Sequence, residues 1–416
     1  FTATTRALLA AGAIAFLTVA IPAGQAAATG PVLKASPAKL LNPGDVVSLI
    51  GKNMVGDSGD FLAQCATTAT TTADCDLSTE SAITVDSKGH MLTPTTFTVA
   101  APSNGMCGSA ALHVPTLTCS IALVVGTTAT PLAKITFPAY YLSLGDSYSV
   151  GYQPSPTSAA TYGYTGYVAK KEKLTLENFG CGGATTASMT VFTGVCGVDG
   201  FGPPAAFNAA PIPSGDSQVT AADTFIAAHP DQIALMTLSI SGNDITPCAG
   251  ASPTNPVNGA TDAVSCVTAG MASVNANLGG IVSNLSAAAP GVPLVGLTYP
   301  DVLLGLYVCT PNGDNTCSAG DHSNPLIGES TYVFQYDLNP ALSGVYTSVP
   351  GGIFVDVTAD TGAYGSMTQF KGSVFGKVPA PVASVCKLTW YCAEGNIHAN
   401  TKGYQDIGKF ITAALP

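Results

Sequence analysis

The chain has 416 residues, of which only 9% are charged, and its formal net charge is -11; an ordinary globular protein carries about 25% charged residues. No run of Lys or Arg could follow a phosphate backbone, which argues against nucleic acid as a partner, and the acidity mainly serves solubility. The length suits two domains plus a processed end.

Residues 1–28 carry Arg6, an apolar run over 7–21, Pro22 and the small residues Ala26, Ala27 and Ala28. This is the order of a secretory signal peptide. The apolar run is shorter than the ~20 residues of a spanning helix, and a retained anchor is the alternative. A chain that begins at Phe1 is expected to lack some of its precursor. No other window is apolar enough to cross a bilayer, so the mature protein is expected to be extracellular, with no integral membrane segment. Twelve cysteines in that setting point to disulfides. Nearest-neighbour pairing is the simplest connectivity: Cys65 with Cys75, Cys107 with Cys119, Cys181 with Cys196, Cys248 with Cys266, Cys309 with Cys317, and Cys386 with Cys392. No Cys-x-x-Cys pair occurs and His is scarce, so no metal is expected.

Residues 31–137 form short Val- and Thr-rich segments broken by Gly, Pro, Asn and Asp. Strands are expected at 45–50, 82–85, 95–99, 120–125 and 133–137, the pattern of an all-β sandwich. The segment resembles the neocarzinostatin family of immunoglobulin-like proteins in Ser36-Pro37, in Gly44 to Val47, in Gln64-Cys65 ten residues before Cys75, in a second cysteine pair and in the closing Ile135-Thr136-Phe137. The resemblance implies a groove able to hold an apolar ligand, with a cell-wall component as another candidate contact. A spacer or stability role is the plainer reading. The spacing of Cys107 and Cys119 is wider than that family usually has.

From residue 139 the pattern changes to alternating strands and helices. Strands are expected at 139–144, 174–178, 232–240, 293–299 and 352–357, and helices at 162–173, 221–228, 262–288 and 402–414. The uninterrupted apolar run 232–240 fits a strand covered on both faces. The alternation predicts a three-layer α/β/α domain over 139–416 with a mostly parallel sheet. The long 190–214 segment, with Phe192, Phe201 and Phe207, is read either as the wall of an acyl pocket or as simple loop packing.

Chemistry concentrates in four blocks. Leu142-Ser-Leu-Gly-Asp-Ser-Tyr-Ser149 presents a serine on the turn after a strand. Asn178-Phe-Gly-Cys-Gly-Gly-Ala-Thr-Thr186, Leu238-Ser-Ile-Ser-Gly-Asn-Asp244 and Asn396-Ile-His-Ala-Asn400 follow. A serine hydroxyl needs a base and donors for the developing oxyanion. In that order the blocks resemble the SGNH (GDSL) hydrolase family, and the resemblance extends to its actinobacterial esterases. It implies Ser147 as nucleophile and His398 as general base. The oxyanion donors would be the backbone N–H groups of Ser147 and Gly183 and the side-chain amide of Asn243, with no cofactor. The family's acid, two or three residues before the histidine, is absent: Asn396 and Gly395 stand there. Three candidates to orient His398 remain: Glu394, a backbone carbonyl near Gly395, or a distant Asp. His229 and His322, alternative bases on paper, are expected to face solvent.

The reading that follows is a secreted carboxylic-ester hydrolase, a lipase or esterase acting on a small-molecule or lipid ester. An acyltransferase or carbohydrate esterase on the same site is one alternative. A non-catalytic binding protein that uses its sandwich is the other.

Overall fold

The computed structural model describes the chain except residues 1–29, 55–58, 155–162, 192–215, 258 and 313–314. The expected signal peptide and Phe192, Phe201 and Phe207 therefore lie outside the described residues. Among the described residues, no helix is long and apolar enough to cross a membrane.

The N-terminal part is antiparallel. Val32–Ser36, Val46–Lys52 and Thr96–Thr98 form one sheet, and Cys75–Ala82, Phe61–Ala66, Thr116–Val125 and Thr128–Pro138 form another. Val46–Lys52 alternates exposed and buried residues strictly, the period-two pattern of a strand with one face in a core. Leu33, Val47, Leu49 and Phe97 of the first sheet share that core with Leu62, Ile121 and Ile135 of the second. The expected 82–85 strand is instead divided: residues up to Ala82 pair with Phe61–Ala66, while Thr84–Val85 pairs with Met91–Thr93. The buried Ile83 sits at the break. Phe61–Ala66, unforeseen, is central, and its buried Gln64 exchanges two amide hydrogen bonds with the backbone of Ala100, at 3.1 and 3.0 Å.

Five parallel strands follow: Tyr140–Gly145, Thr175–Asn178, Ile233–Ser239, Leu294–Leu297 and Gly352–Val355. Their spatial order is second, first, third, fourth, fifth. Every residue of the first, third and fourth strands is buried, because helices cover both faces. Tyr141, Leu235 and Val295 point to the side of Tyr404 and Ile407 in helix Thr401–Ala414. Tyr140, Leu142, Met236 and Leu294 point to the side of Leu278 in helix Ala263–Ala288 and Leu342 in helix Asn339–Tyr346. The result is a three-layer α/β/α arrangement. Strand order reverses beside the first strand, and in such sheets the crevice beyond the carboxyl ends of the strands at that point gathers ligands.

Among the contacts that tie the antiparallel part to the parallel sheet's side of the molecule are two made by carboxylates. The Asp231 carboxylate accepts the Gly105 N–H at 2.8 Å, and His113 Nδ1 lies 3.0 Å from the buried Glu172 carboxylate. Cysteines pair with their nearest neighbours at Cys65–Cys75, Cys107–Cys119, Cys248–Cys266, Cys309–Cys317 and Cys386–Cys392. Cys181 is also disulfide-bonded; its expected partner, Cys196, is outside the described residues.

Candidate active site

Ser147 sits on the turn that leaves the first strand, and the turn is made by close backbone packing. Gly145 has φ +131°, and a Cβ there would lie 2.0 Å from the Ser239 carbonyl oxygen of the third strand. Only glycine fits such an approach. Gln218 clamps the same residue, accepting the Gly145 N–H and donating to its carbonyl, both at 2.9 Å. Beyond it the Asp146 N–H reaches the Ser239 carbonyl at 2.9 Å. Ser147 emerges with 8% of its surface exposed.

The histidine block comes from the far end of the chain. His398 Nε2 lies 2.8 Å from Ser147 Oγ, and His398 is 7% exposed. Its other nitrogen, Nδ1, lies 2.8 Å from Asn396 Oδ1, and the His398 backbone N–H donates to that same oxygen at 3.1 Å. A backbone N–H can only donate, so the Asn396 atom facing it is the amide oxygen. Nδ1 must then carry the ring proton, which leaves Nε2 as an acceptor aimed at the serine. Burial holds the imidazole pKa down at about 4, so the ring is neutral at pH 7 and able to take a proton.

Asn396 thus corrects the three candidates for orienting His398. The partner of Nδ1 is neither Glu394, nor a backbone carbonyl near Gly395, nor a distant Asp. Gly395 takes φ +64° and turns the chain so that the Asn396 side chain folds back onto the N–H two residues on, an Asx turn. The Trp390 N–H holds the loop by donating to the His398 carbonyl at 3.0 Å, beside the Cys386–Cys392 disulfide.

Asn243 follows the third strand, where Ser241 adopts φ +105°. Its amide donates to the Ala184 carbonyl at 2.9 Å and so joins the glycine block. One amide hydrogen is left over. Gly183 sits exposed in that block with φ +80°. Among the described residues, the N–H groups of Ser147 and Gly183 donate to no protein acceptor.

Ser147 and Asn243 open onto a cavity of about 350 Å³, within the usual size for small-molecule sites. Its described walls are mostly apolar and include Ile245, Val267, Val302, Leu303, Val333 and Ile397.

Residues 33–137 match the model of the Neocarzinostatin family. This agrees with the resemblance read in that segment. No curated protein matches the chain. Among solved structures, the chain is similar to an extracellular lipase from Streptomyces rimosus, with 17% identity, 66% of this chain and 99% of that one covered, and a TM-score of 0.38. It is also similar to a phospholipase A1 from Streptomyces albidoflavus NA297, with 20% identity, 62% and 99% covered, and a TM-score of 0.33. A third is a carbohydrate esterase family 2 enzyme with a carbohydrate binding domain from Corynascus thermopiles, with 14% identity, 92% and 98% covered, and a TM-score of 0.33.

Several supporting residues carried no signal in the sequence. Tyr148 donates from its hydroxyl to the Ile397 carbonyl at 2.7 Å and stacks near the His398 ring, while Tyr152 lies 4.5 Å from that ring on its other contact. Tyr299 donates to Asp146 Oδ2 at 2.5 Å and accepts the Gly242 N–H at 3.2 Å, which links the nucleophile turn to the Asn243 loop. Asp146 is buried without a cation, and desolvation pushes its pKa up to about 7. His229 does not face solvent as expected: it is half-buried at a helix end, stacked 4.0 Å from Phe225, with Nδ1 2.8 Å from the Phe225 carbonyl. His322 is exposed and stacks on Tyr307.

Proposed function

We propose that the chain is a serine carboxylic-ester hydrolase of the SGNH type that works through an acyl-enzyme on Ser147. The observation that carries the reading is the 2.8 Å contact between His398 Nε2 and Ser147 Oγ, with the ring's tautomer fixed by Asn396. His398 takes the hydroxyl proton as Oγ bonds to the ester carbonyl carbon, and the carbonyl oxygen becomes negative. The Ser147 and Gly183 N–H groups and the spare Asn243 amide hydrogen receive that charge. Their lack of acceptors among the described residues supports the role. His398 then gives its proton to the departing alcohol. In the second half it takes a proton from water as the water oxygen bonds to the acyl carbon; the bond from that carbon to Ser147 Oγ then breaks, Oγ takes the proton back from His398, and the carboxylic acid leaves.

Without a carboxylate on Nδ1, the imidazolium formed in each half-reaction meets an amide dipole on that side rather than a full charge. The benefit is a base that stays neutral into mildly acidic solution. The cavity beside Ser147 is proposed to take the acyl or alcohol part of a small or lipid ester. Residues 1–28 are read as a secretory leader, 31–137 as a sandwich module and 139–416 as the catalytic unit; the disulfides support export.

The test is hydrolysis of short-chain carboxylic esters by the wild type and by Ser147→Ala. The wild type should turn them over and Ser147→Ala should lose about 10⁴-fold or more. Equal rates in both proteins would remove Ser147 from the mechanism.

A further inference from the structure

Charge around the cavity bears on which esters can enter it. Residues 174–370, which supply all of its described walls except Asp146, Ser147, Tyr148 and Ile397, contain no Lys or Arg and fourteen Asp or Glu. Among the described residues lining the cavity, none is Lys, Arg or His, whereas three carry carboxyl groups: Asp146 at the buried end, and Glu329 and Asp337 at the exposed end. The four ion pairs among the described residues lie elsewhere, and neither Glu329 nor Asp337 has a side-chain hydrogen-bond partner among those residues. Asp244, behind Asn243, is buried and held by Thr186 and Ser273 rather than by a cation.

Resting on the hydrolase reading, we infer that this site is selective for esters whose acyl and alcohol parts bear no negative charge, with Glu329 and Asp337 as the discriminating residues at its entrance. An anionic ester, whether it carries a phosphate, sulfonate or second carboxylate, would leave water for a cavity that offers no counter-charge. It would also approach through a negative field that low-dielectric walls focus rather than disperse. Uncharged esters meet neither cost, and a quaternary ammonium group meets an attraction at the same two carboxylates. The donors proposed for the oxyanion are neutral N–H groups aimed at one atom, so they do not offset charge elsewhere on a substrate. Across about 8 Å of water, each entrance carboxylate is worth about two- to threefold against a unit negative charge.

The experiment compares matched esters. Butyrylcholine, its uncharged dimethylbutyl isostere and the anionic sulfoethyl ester of butyrate vary charge in the alcohol part. Methyl octanoate and the monomethyl ester of suberate vary it in the acyl part. At low ionic strength, kcat/KM for each anionic member should fall about five- to tenfold or more below its neutral partner, and butyrylcholine should match or exceed its isostere. The gap should narrow at high salt, where the Debye length falls to about 3 Å near 1 M. In the double variant Glu329→Gln, Asp337→Asn, the anionic-to-neutral ratio should rise about threefold or more in at least one series. Anionic esters turned over as fast as neutral ones would overturn the inference, as would a ratio unmoved by the double variant. Binding of the same esters to Ser147→Ala, followed by titration calorimetry, reads charge preference without turnover. A protein that hydrolyses nothing but still prefers uncharged esters would contradict the hydrolase reading alone.

Discussion

Replacing Asn396 by Asp puts a carboxylate where an amide oxygen now sits, 2.8 Å from His398 Nδ1. In the wild type, burial lowers the His398 pKa to about 4, below the ordinary value of about 6.5. The neutral ring is the active base, so kcat/KM should stay flat down through mildly acidic pH and fall only as pH drops toward 4. An adjacent carboxylate favours the protonated ring. At an effective dielectric of about 20, two unit charges 4 Å apart interact by about 4 kcal/mol, or about three pH units at 1.36 kcal/mol each. Burying the new carboxylate offsets part of this, so the acid limb should move upward by about one to three units. At pH 5 the variant should therefore lose about twofold in kcat/KM for a one-unit shift, about tenfold for two units and about a hundredfold for three. At pH 8, where the ring is neutral in both proteins, it should equal or exceed the wild type, because the carboxylate also stabilises the imidazolium of the transition state. The assay is kcat/KM from pH 4 to 9 with a neutral short-chain ester. An acid limb that stays in place, or moves downward, would refute the proposed contact between residue 396 and the ring.

Asn243→Ala should lower kcat about 10²–10³-fold with little change in KM, as expected for a donor that acts on the oxyanion; a change confined to KM would assign Asn243 to substrate binding. Gly145→Ala should destabilise the fold by about 3 kcal/mol or more in urea titration, because its Cβ would meet the Ser239 carbonyl. Gly183→Ala, at a positive φ of +80° but with nothing within 4 Å of the added atom, should cost only about 1–2 kcal/mol. Equal losses in the two would undo the steric argument.

The elements most legible in the sequence are those whose surroundings leave one choice. Ile233–Ser239 is buried along its whole length, and its short uninterrupted apolar run fits an inner parallel strand. Helix Ala263–Ala288 begins at Asp262, whose carboxylate accepts the Ser265 N–H, a start signal visible in the residues themselves. Phe61–Ala66 carries little strand signal because Ala and Gln are weak strand formers; its place is set by neighbours on both sides and by the Gln64 clamp on Ala100. Cys75–Ala82 is an edge strand with polar, partly exposed residues, a composition that also reads as loop. Ser147, His398, Asn243 and Gly183 could be nominated because the four blocks that hold them stand at loop edges in the chain order of the family they resemble. The residues that hold them could not. Tyr148, Tyr152 and Tyr299 converge only through folding, from strand ends and loops up to 250 residues from His398, and tyrosine is common in cores. Asn396 stood beside His398 in plain view, but the expectation of a charge concealed that an amide oxygen can orient a ring as well.

The central claim is that Ser147 is a nucleophile activated by His398. Treatment with a neutral alkyl fluorophosphonate, followed by mass mapping of the peptides, tests it most directly. The account predicts one stoichiometric adduct on Ser147 in the wild type, with labelling slowed by orders of magnitude in His398→Ala; an adduct on another residue, or equally fast labelling of Ser147 without His398, would contradict it.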